Sequence, residues 1–77
     1  MKEKVIKIIK ETLGIGEERE ITGETDISSL GVNSLNFLRI IVEIEEAFDI
    51  EFDDNELNFD YFNTIDSVIK LIESKMN

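Results

Sequence analysis

Apolar positions along the chain gather into three helical stripes, separated by two aperiodic stretches. The first stripe spans 3–13. With Val5 at zero and about 100° per residue, Ile8, Ile9, Thr12 and Leu13 collect on one side, with Ile6 at its edge. Lys4, Lys7, Lys10 and Glu11 fall elsewhere, and Gly14 suits the left-handed residue that closes a helix. The second stripe, "SLNFLRIIVEIEEAF" over 34–48, turns Phe37, Ile40, Ile41, Ile44 and Phe48 inward and sets Arg39, Glu43 and Glu46 opposite. Asn33 reads as its N-cap, because the side-chain oxygen can accept from a free amide one turn on. The third stripe spans 65–75 with Ile65, Val68, Ile69, Leu71 and Ile72 inside, Thr64 as cap and Asp66 in the favourable first turn.

The two connections are less regular. Residues 14–33 would be long for a structureless loop, yet Ile15, Ile21, Ile27 and Leu30 recur along them. An ordered loop pinned to the core is expected. After Asp49, Ile50 and Phe52 read as a brief extended stretch tucked inward. Asp53 and Glu56 have capping-box spacing, with Asp in the Ser/Thr role, and predict a short helix over about 54–58. Leu57, Phe59 and Phe62 are the expected anchors. The expected fold is therefore all-α: a small four-helix bundle of three longer helices and one short, with a long ordered loop between the first two. At 77 residues it forms a single domain over 1–77, a size that buries only about 60% of its unfolded surface.

Charge narrows the function. Eighteen acidic residues against eight basic ones leave a net charge of −10. That opposes binding to nucleic acid and to anionic membranes and favours partners with basic patches. The absence of cysteine excludes disulfides and thiolate sites, and the absence of histidine removes the commonest general base and metal ligand. The start, "MKEKVIKIIKETLG", is amphipathic rather than leader-like, so a cytoplasmic monomer without membrane insertion is expected.

Three places could carry chemistry. Asp49, Glu51, Asp53 and Asn55 have the alternate spacing of a calcium loop, but Asp54 stands where the sharp turn needs Gly and Asp60 where a bidentate Glu is preferred. A solvated acidic loop is the stronger reading. Glu43, Glu45 and Glu46 could pair for acid–base work, but nothing in the pattern separates their pKa values, and an exposed charged face is expected. Ser34 is different. Asn33 already serves as the cap, no His can activate the hydroxyl, and no nucleophile elbow surrounds it. What remains is a hydroxyl at the positive end of a helix, a place that suits an attached phosphate. Beside it, with Ser34 at zero, Leu35 lies at about 100° and Val42 at about 80°, off the inner stripe at about 300°. Two aliphatic side chains in one lane, flanked by charges, read as a small docking surface or as packing against the long loop or the short helix.

With these features the chain resembles the acyl carrier protein family, including the peptidyl carrier proteins. "EKVIKIIKETLGI" is similar to the family's first helix, "TDISSLGVNSLNFLRIIVEIEEAFDIEF" to its central signature and "FNTIDSVIKLI" to its last helix. The family's core motif, Leu-Gly, one residue, then Asp-Ser-Leu, here reads Leu30, Gly31, Val32, Asn33, Ser34, Leu35. The resemblance implies that Ser34 receives 4′-phosphopantetheine from coenzyme A, with Asn33 and Leu35 beside the attachment point. It implies a carrier rather than an enzyme, holding an acyl or aminoacyl group as a thioester on the arm's thiol. It also implies a phosphopantetheinyl transferase and loading and downstream enzymes as partners, met by Leu35, Arg39, Val42, Glu43 and Glu46 with basic patches on the partner side. Asn33 replaces the family's usual Asp, and Asn36 and Arg39 stand where fatty-acid carriers often have acids. These departures point to a specialised stand-alone carrier. The alternative is an acidic helical adaptor with a carrier-like fold and no prosthetic group.

Overall fold

The computed structural model describes residues 1–76. Three α-helices form: α1 (Lys2–Leu13), α2 (Ser34–Phe48) and α3 (Ile65–Lys75). The α2 and α3 bounds are those the periodicity predicts, and α1 starts one residue earlier. Val5, Ile8 and Ile9 of α1 are buried against Phe37, Ile40, Ile41 and Ile44 of α2 and Ile65, Val68, Leu71 and Ile72 of α3. Helix α1 packs directly on both other helices. Residues at the stripe edges, Ile6, Leu13, Phe48 and Ile69, are half-buried. Gly14 closes α1 in the left-handed conformation, φ 69°. Among the described residues no helix is long and apolar enough to cross a membrane.

The 14–33 connection is packed, as its recurring isoleucines predict. Ile21, Ile27 and Leu30 are buried and Ile15 is half-buried. The Cα radius of gyration, 11.4 Å, matches the roughly 11.5 Å expected of a fully compact chain this long, so the connection adds no bulk outside the core. Ile27–Leu30 form a 3₁₀ turn that periodicity could not reveal, because four residues are too few to show a repeat. The loop is also laced to the start of α3. Ile27 N–H donates to the Asn63 carbonyl at 2.8 Å, Asp66 N–H to the Gly23 carbonyl at 2.9 Å and Ile65 N–H to the Thr25 carbonyl at 3.2 Å. Gly23 is buried there, and a Cβ at that position would collide with the Asp66 carboxylate. With Thr64 accepting from Ser67 N–H at 3.2 Å, the orphan amides at the start of α3 are satisfied.

The expected short fourth helix is a single 3₁₀ turn, Asp54–Glu56, and does not reach 58. The Glu56 carboxylate reaches back to Asp53 N–H at 2.8 Å, as the capping-box spacing predicts. It also grips Lys75 Nζ, near the end of α3, at 2.7 Å, with Asp53 a second carboxylate at 3.9 Å. This clamp ends the segment early, because Glu56 is held by α3 rather than by a continuing helix of its own. Glu45 corrects the expectation of a wholly exposed acidic face. It is half-buried, and its carboxylate accepts from Phe52 N–H at 2.9 Å, holding the extended stretch after α2. These contacts commit several acids of the 45–56 region to structure, and no group of three or more His, Cys, Asp or Glu among the described residues is placed to hold a metal ion.

Aromatic rings join the 49–64 segment to α2. Phe62, 1% exposed, meets Phe37 edge-on at 5.4 Å and Phe52 edge-on at 5.2 Å. Edge-to-face geometry adds about 0.5–1.5 kcal/mol per pair beyond the burial itself. Phe59 departs from its expected role as a buried anchor. It is 44% exposed and tilts over Phe37 at 5.0 Å.

Two measurements check this account. Phe62→Ala is expected to cost about 3–5 kcal/mol in urea unfolding, most of the stability of a domain near the low end of the usual range of about 5–15 kcal/mol. Second, the hydrogen bond from Lys75 holds the Glu56 carboxyl below its ordinary value of 4.5, helped by the Asp53 amide, and the same contact raises Lys75 above 10.5. A lowered acid stabilises the fold above its unfolded pKa, and that contribution disappears as pH falls through the folded value. A raised lysine stabilises below 10.5, and its contribution disappears as pH rises beyond that value. Lys75→Met should therefore lower Tm near neutrality and shrink the gap to the native protein below pH 4.5 and above pH 10.5. A gap constant with pH would show that the clamp contributes packing and not charge.

Candidate functional site

The site is built where the 3₁₀ turn hands the chain to α2. Asp26 opens that turn, its carboxylate accepting from Ser28 N–H at 3.0 Å and from Ser28 Oγ at 2.8 Å. Leu30 is buried at its end, and Gly31 follows with φ 79°. No side chain would clash with a Cβ there, so the backbone conformation itself is what favours glycine. Val32 is half-buried, and Asn33 is extended at the cap.

Asn33 does the structural work of the helix start. Its Oδ1 accepts from Asn36 N–H at 2.8 Å, and its carbonyl accepts from Phe37 N–H at 2.8 Å. The next residue is left unencumbered. Ser34 is exposed, and its hydroxyl bonds to nothing among the described residues. The amides of Ser34 and Leu35 likewise donate to no group among the described residues. Two free N–H groups and the positive end of a fifteen-residue helix thus surround one free hydroxyl, an arrangement that favours a phosphate ester on that oxygen.

Beside the serine, Val32, Phe37, Leu38, Leu57 and Phe59, with Asn58, wall an open groove of about 550 Å³ that also touches Asn33. None of its lining residues ionises, so nothing in the groove could take the serine proton. The groove thus presents a hydroxyl without a base beside it. The surroundings of the hydroxyl combine free backbone amides with an apolar groove that also carries the Asn58 side chain.

The sequence-predicted surface divides in two. Leu35 is 68% exposed and Val42 49%, as the angular argument places them. Leu38, 53% exposed, stands with them and was missing from that argument. Its angle of about 40°, between Ser34 and Val42, was the available signal. Arg39, Glu43 and Glu46 are also exposed but border α1. Arg39 and Glu43 line a cleft with Glu11 and Thr12, and Glu43 and Glu46 one with Lys4 and Lys7. Phe59 and Leu57 enter the site from an aperiodic segment that gave no positional signal.

Comparison with known proteins gives the family. Residues 3–72 match the family model described as phosphopantetheine attachment site. The chain is 36% identical over 75 residues to an acyl carrier protein of Buchnera aphidicola, covering 97% of this chain and 91% of that one. It is 40% identical over 73 residues to an acyl carrier protein of Streptococcus pyogenes serotype M1, covering 95% and 92%. A chloroplastic acyl carrier protein of Brassica napus is 34% identical over 71 residues, covering 92% of this chain and 52% of that one. The chain thus spans about half the length of the chloroplastic relatives and nearly all of the bacterial ones.

The cap and the hydroxyl should separate experimentally. Asn33→Ala is expected to cost about 1 kcal/mol in urea unfolding. Asn33→Asp keeps the acceptor, adds a charge at the helix start and should match or exceed native stability by about 0.3–1 kcal/mol. Ser34→Ala should change stability little, since its hydroxyl has no partner to lose. A Ser34→Ala cost equal to that of Asn33→Ala would assign the serine to the cap.

Proposed function

The chain belongs to the phosphopantetheine attachment-site family, carriers rather than catalysts whose prosthetic group is covalently attached 4′-phosphopantetheine, and from that premise we propose that Ser34 is the attachment residue of a specialised acyl or aminoacyl carrier. One observation carries the assignment. Ser34 is the exposed hydroxyl that stands at the start of α2 beside two free amides, with its capping duty already taken by Asn33.

In the transfer reaction the Ser34 oxygen bonds to the phosphorus of coenzyme A that bears the pantetheine. The pyrophosphate bond breaks, and the nucleotide half leaves. The serine proton passes to a base of the transferase, since the groove offers none. The unpaired amides of Ser34 and Leu35 would be free to donate to a phosphate held on that oxygen. When bound, the group supplies a thiol on a flexible arm, the reactive sulfur that a chain without cysteine lacks. Leu35, Leu38 and Val42 give partner enzymes an apolar footing within reach of that arm, and the acidic half of α2 gives basic patches a counterpart.

A specialised role is supported by the residues around the serine. Asn33 and Asn36 are neutral, and Arg39 is cationic, in places where the family's fatty-acid carriers often have acids. The reading is of a cytoplasmic monomer serving a dedicated biosynthetic pathway, passed from a loading enzyme to downstream enzymes.

The test is intact mass after incubation with coenzyme A and a promiscuous phosphopantetheinyl transferase. The native chain should gain one phosphopantetheinyl group, and Ser34→Ala none. Leu35→Asp should gain it more slowly while keeping native helicity. No gain by the native chain with several transferases would leave a helical adaptor without a prosthetic group as the better reading.

A further inference from the structure

The segment that walls the groove is tied to the helices by side chains. Among the described residues, the backbone hydrogen bonds of 53–62 all close within that stretch. Glu56 N–H donates to the Asp53 carbonyl at 2.9 Å, Leu57 N–H to Asp54 at 3.2 Å, and Tyr61 and Phe62 N–H to Asn58 at 3.2 and 3.1 Å. The Asn58 side chain braces the same turn on both sides. Its Nδ2 donates to the Asn55 carbonyl at 2.9 Å, and its Oδ1 accepts from Asp60 N–H at 2.8 Å. Residues 53–62 are therefore a strap with its own internal frame, and nothing in that frame has to break for the strap to move as a unit.

Its attachments are unequal. Phe62 is fully buried and edge-on to both Phe37 and Phe52, which makes that end a pivot. Phe59 rests on Phe37 at 5.0 Å but is open to solvent on its other side. The polar tie is Lys75, 2.7 Å from Glu56 and 3.9 Å from the well-exposed Asp53. Ion pairs so near the surface contribute modestly and weaken with salt. Leu57, Asn58 and Phe59, which wall the groove beside Ser34, lie between the pivot and this tie. A segment with few buried contacts and no backbone bonds to its surroundings opens at lower cost than the whole fold.

We propose that residues 53–60 form a hinged strap, pivoting on Phe62 and latched by Lys75 through Glu56, and that release of the latch widens the groove beside Ser34. Lys75 is then a positioning residue. It lines no part of the groove and acts on it through Glu56 and the adjoining Leu57. The device belongs to the fold and stands whether or not Ser34 carries a group. With a group attached there, the position of the strap sets the room beside the attachment point.

The test uses the full, unmodified chain. The sequence has no cysteine, so Leu57→Cys places a single thiol on the strap, and its labelling rate with an uncharged maleimide reads how often the strap lifts. In that background Lys75→Met and Glu56→Gln should each speed labelling about two- to fivefold. Both together should do no more than either alone, and Lys75→Arg should keep the starting rate. The effect of Lys75→Met should shrink as salt rises from about 0.05 to 0.5 M. Without the cysteine, nuclear Overhauser contacts between Phe37 and Phe59 should weaken in Lys75→Met and Glu56→Gln, while those of Phe62 with Phe37 and Phe52 persist and circular dichroism stays native. This second readout decides the matter if Leu57→Cys itself loosens the fold. Phe37–Phe59 contacts unchanged in both variants overturn the proposal, as does an effect of Lys75→Met indifferent to salt. Loss of the Phe62 contacts together with those of Phe59 also overturns it, because the segment then unfolds rather than hinges. Mass gain at Ser34 tests the carrier reading separately, and neither result decides the other.

Discussion

Phe62 holds the irregular segment between α2 and α3 to the regular part of the molecule. It is fully buried, edge-on to Phe37 of α2 and edge-on to Phe52 of the stretch after α2. Residues 49–64 have no helical repeat to bury, so their place depends on a few large side chains. Once Phe62 is seated, Phe59 lies over the other part of Phe37, and Leu57 and Asn58 come to the groove beside Ser34. The Glu56–Lys75 contact fixes the near end of the same segment to α3. The wall of the functional groove is thus a consequence of core packing some residues away in sequence.

A division of labour at the start of α2 leaves one hydroxyl free. A serine at a helix start is ordinarily recruited as a cap, and a capping hydroxyl is engaged by the backbone. Asn33 removes that demand by taking the Asn36 amide itself. Ser34 follows with its oxygen free and its own amide unclaimed. Asp in place of Asn33 would also cap, but it would place a negative charge beside an incoming phosphate. Asparagine keeps the geometry and removes that repulsion, at the loss of a favourable charge with the helix dipole.

Periodicity explains what the sequence disclosed. The three α-helices repeat every 3.6 residues, and their buried faces were legible almost residue for residue. Capping was legible too, since Asn33, Thr64 and the Asp53–Glu56 spacing involve local chemistry. What escaped lay in segments where tertiary contacts decide. Glu45 looked like one of three surface acids, but it accepts from an amide seven residues on. Phe59 looked like core because it is aromatic, yet Phe62 occupies the interior and leaves Phe59 at the rim. The 3₁₀ turn at Ile27–Leu30 is too short to show a period. Ser34, by contrast, stood out in the sequence because every ordinary use of it was already filled or lacked a partner, and the structure leaves its hydroxyl exposed.

The distribution of charge then connects fold to function. A strongly acidic small domain repels itself, and the structure answers by assigning several carboxylates to backbone amides and to Lys75. Within α2 itself the acids begin only at Glu43, more than two turns after the serine. The N-terminal end is left apolar, amide-rich and nearly neutral. A helix dipole concentrates its positive potential within the first turn. Carboxylates there would neutralise the field that favours a phosphate, whereas acids two or more turns along leave it intact. The same separation that relieves repulsion in the fold therefore preserves the electropositive pocket around the Ser34 hydroxyl.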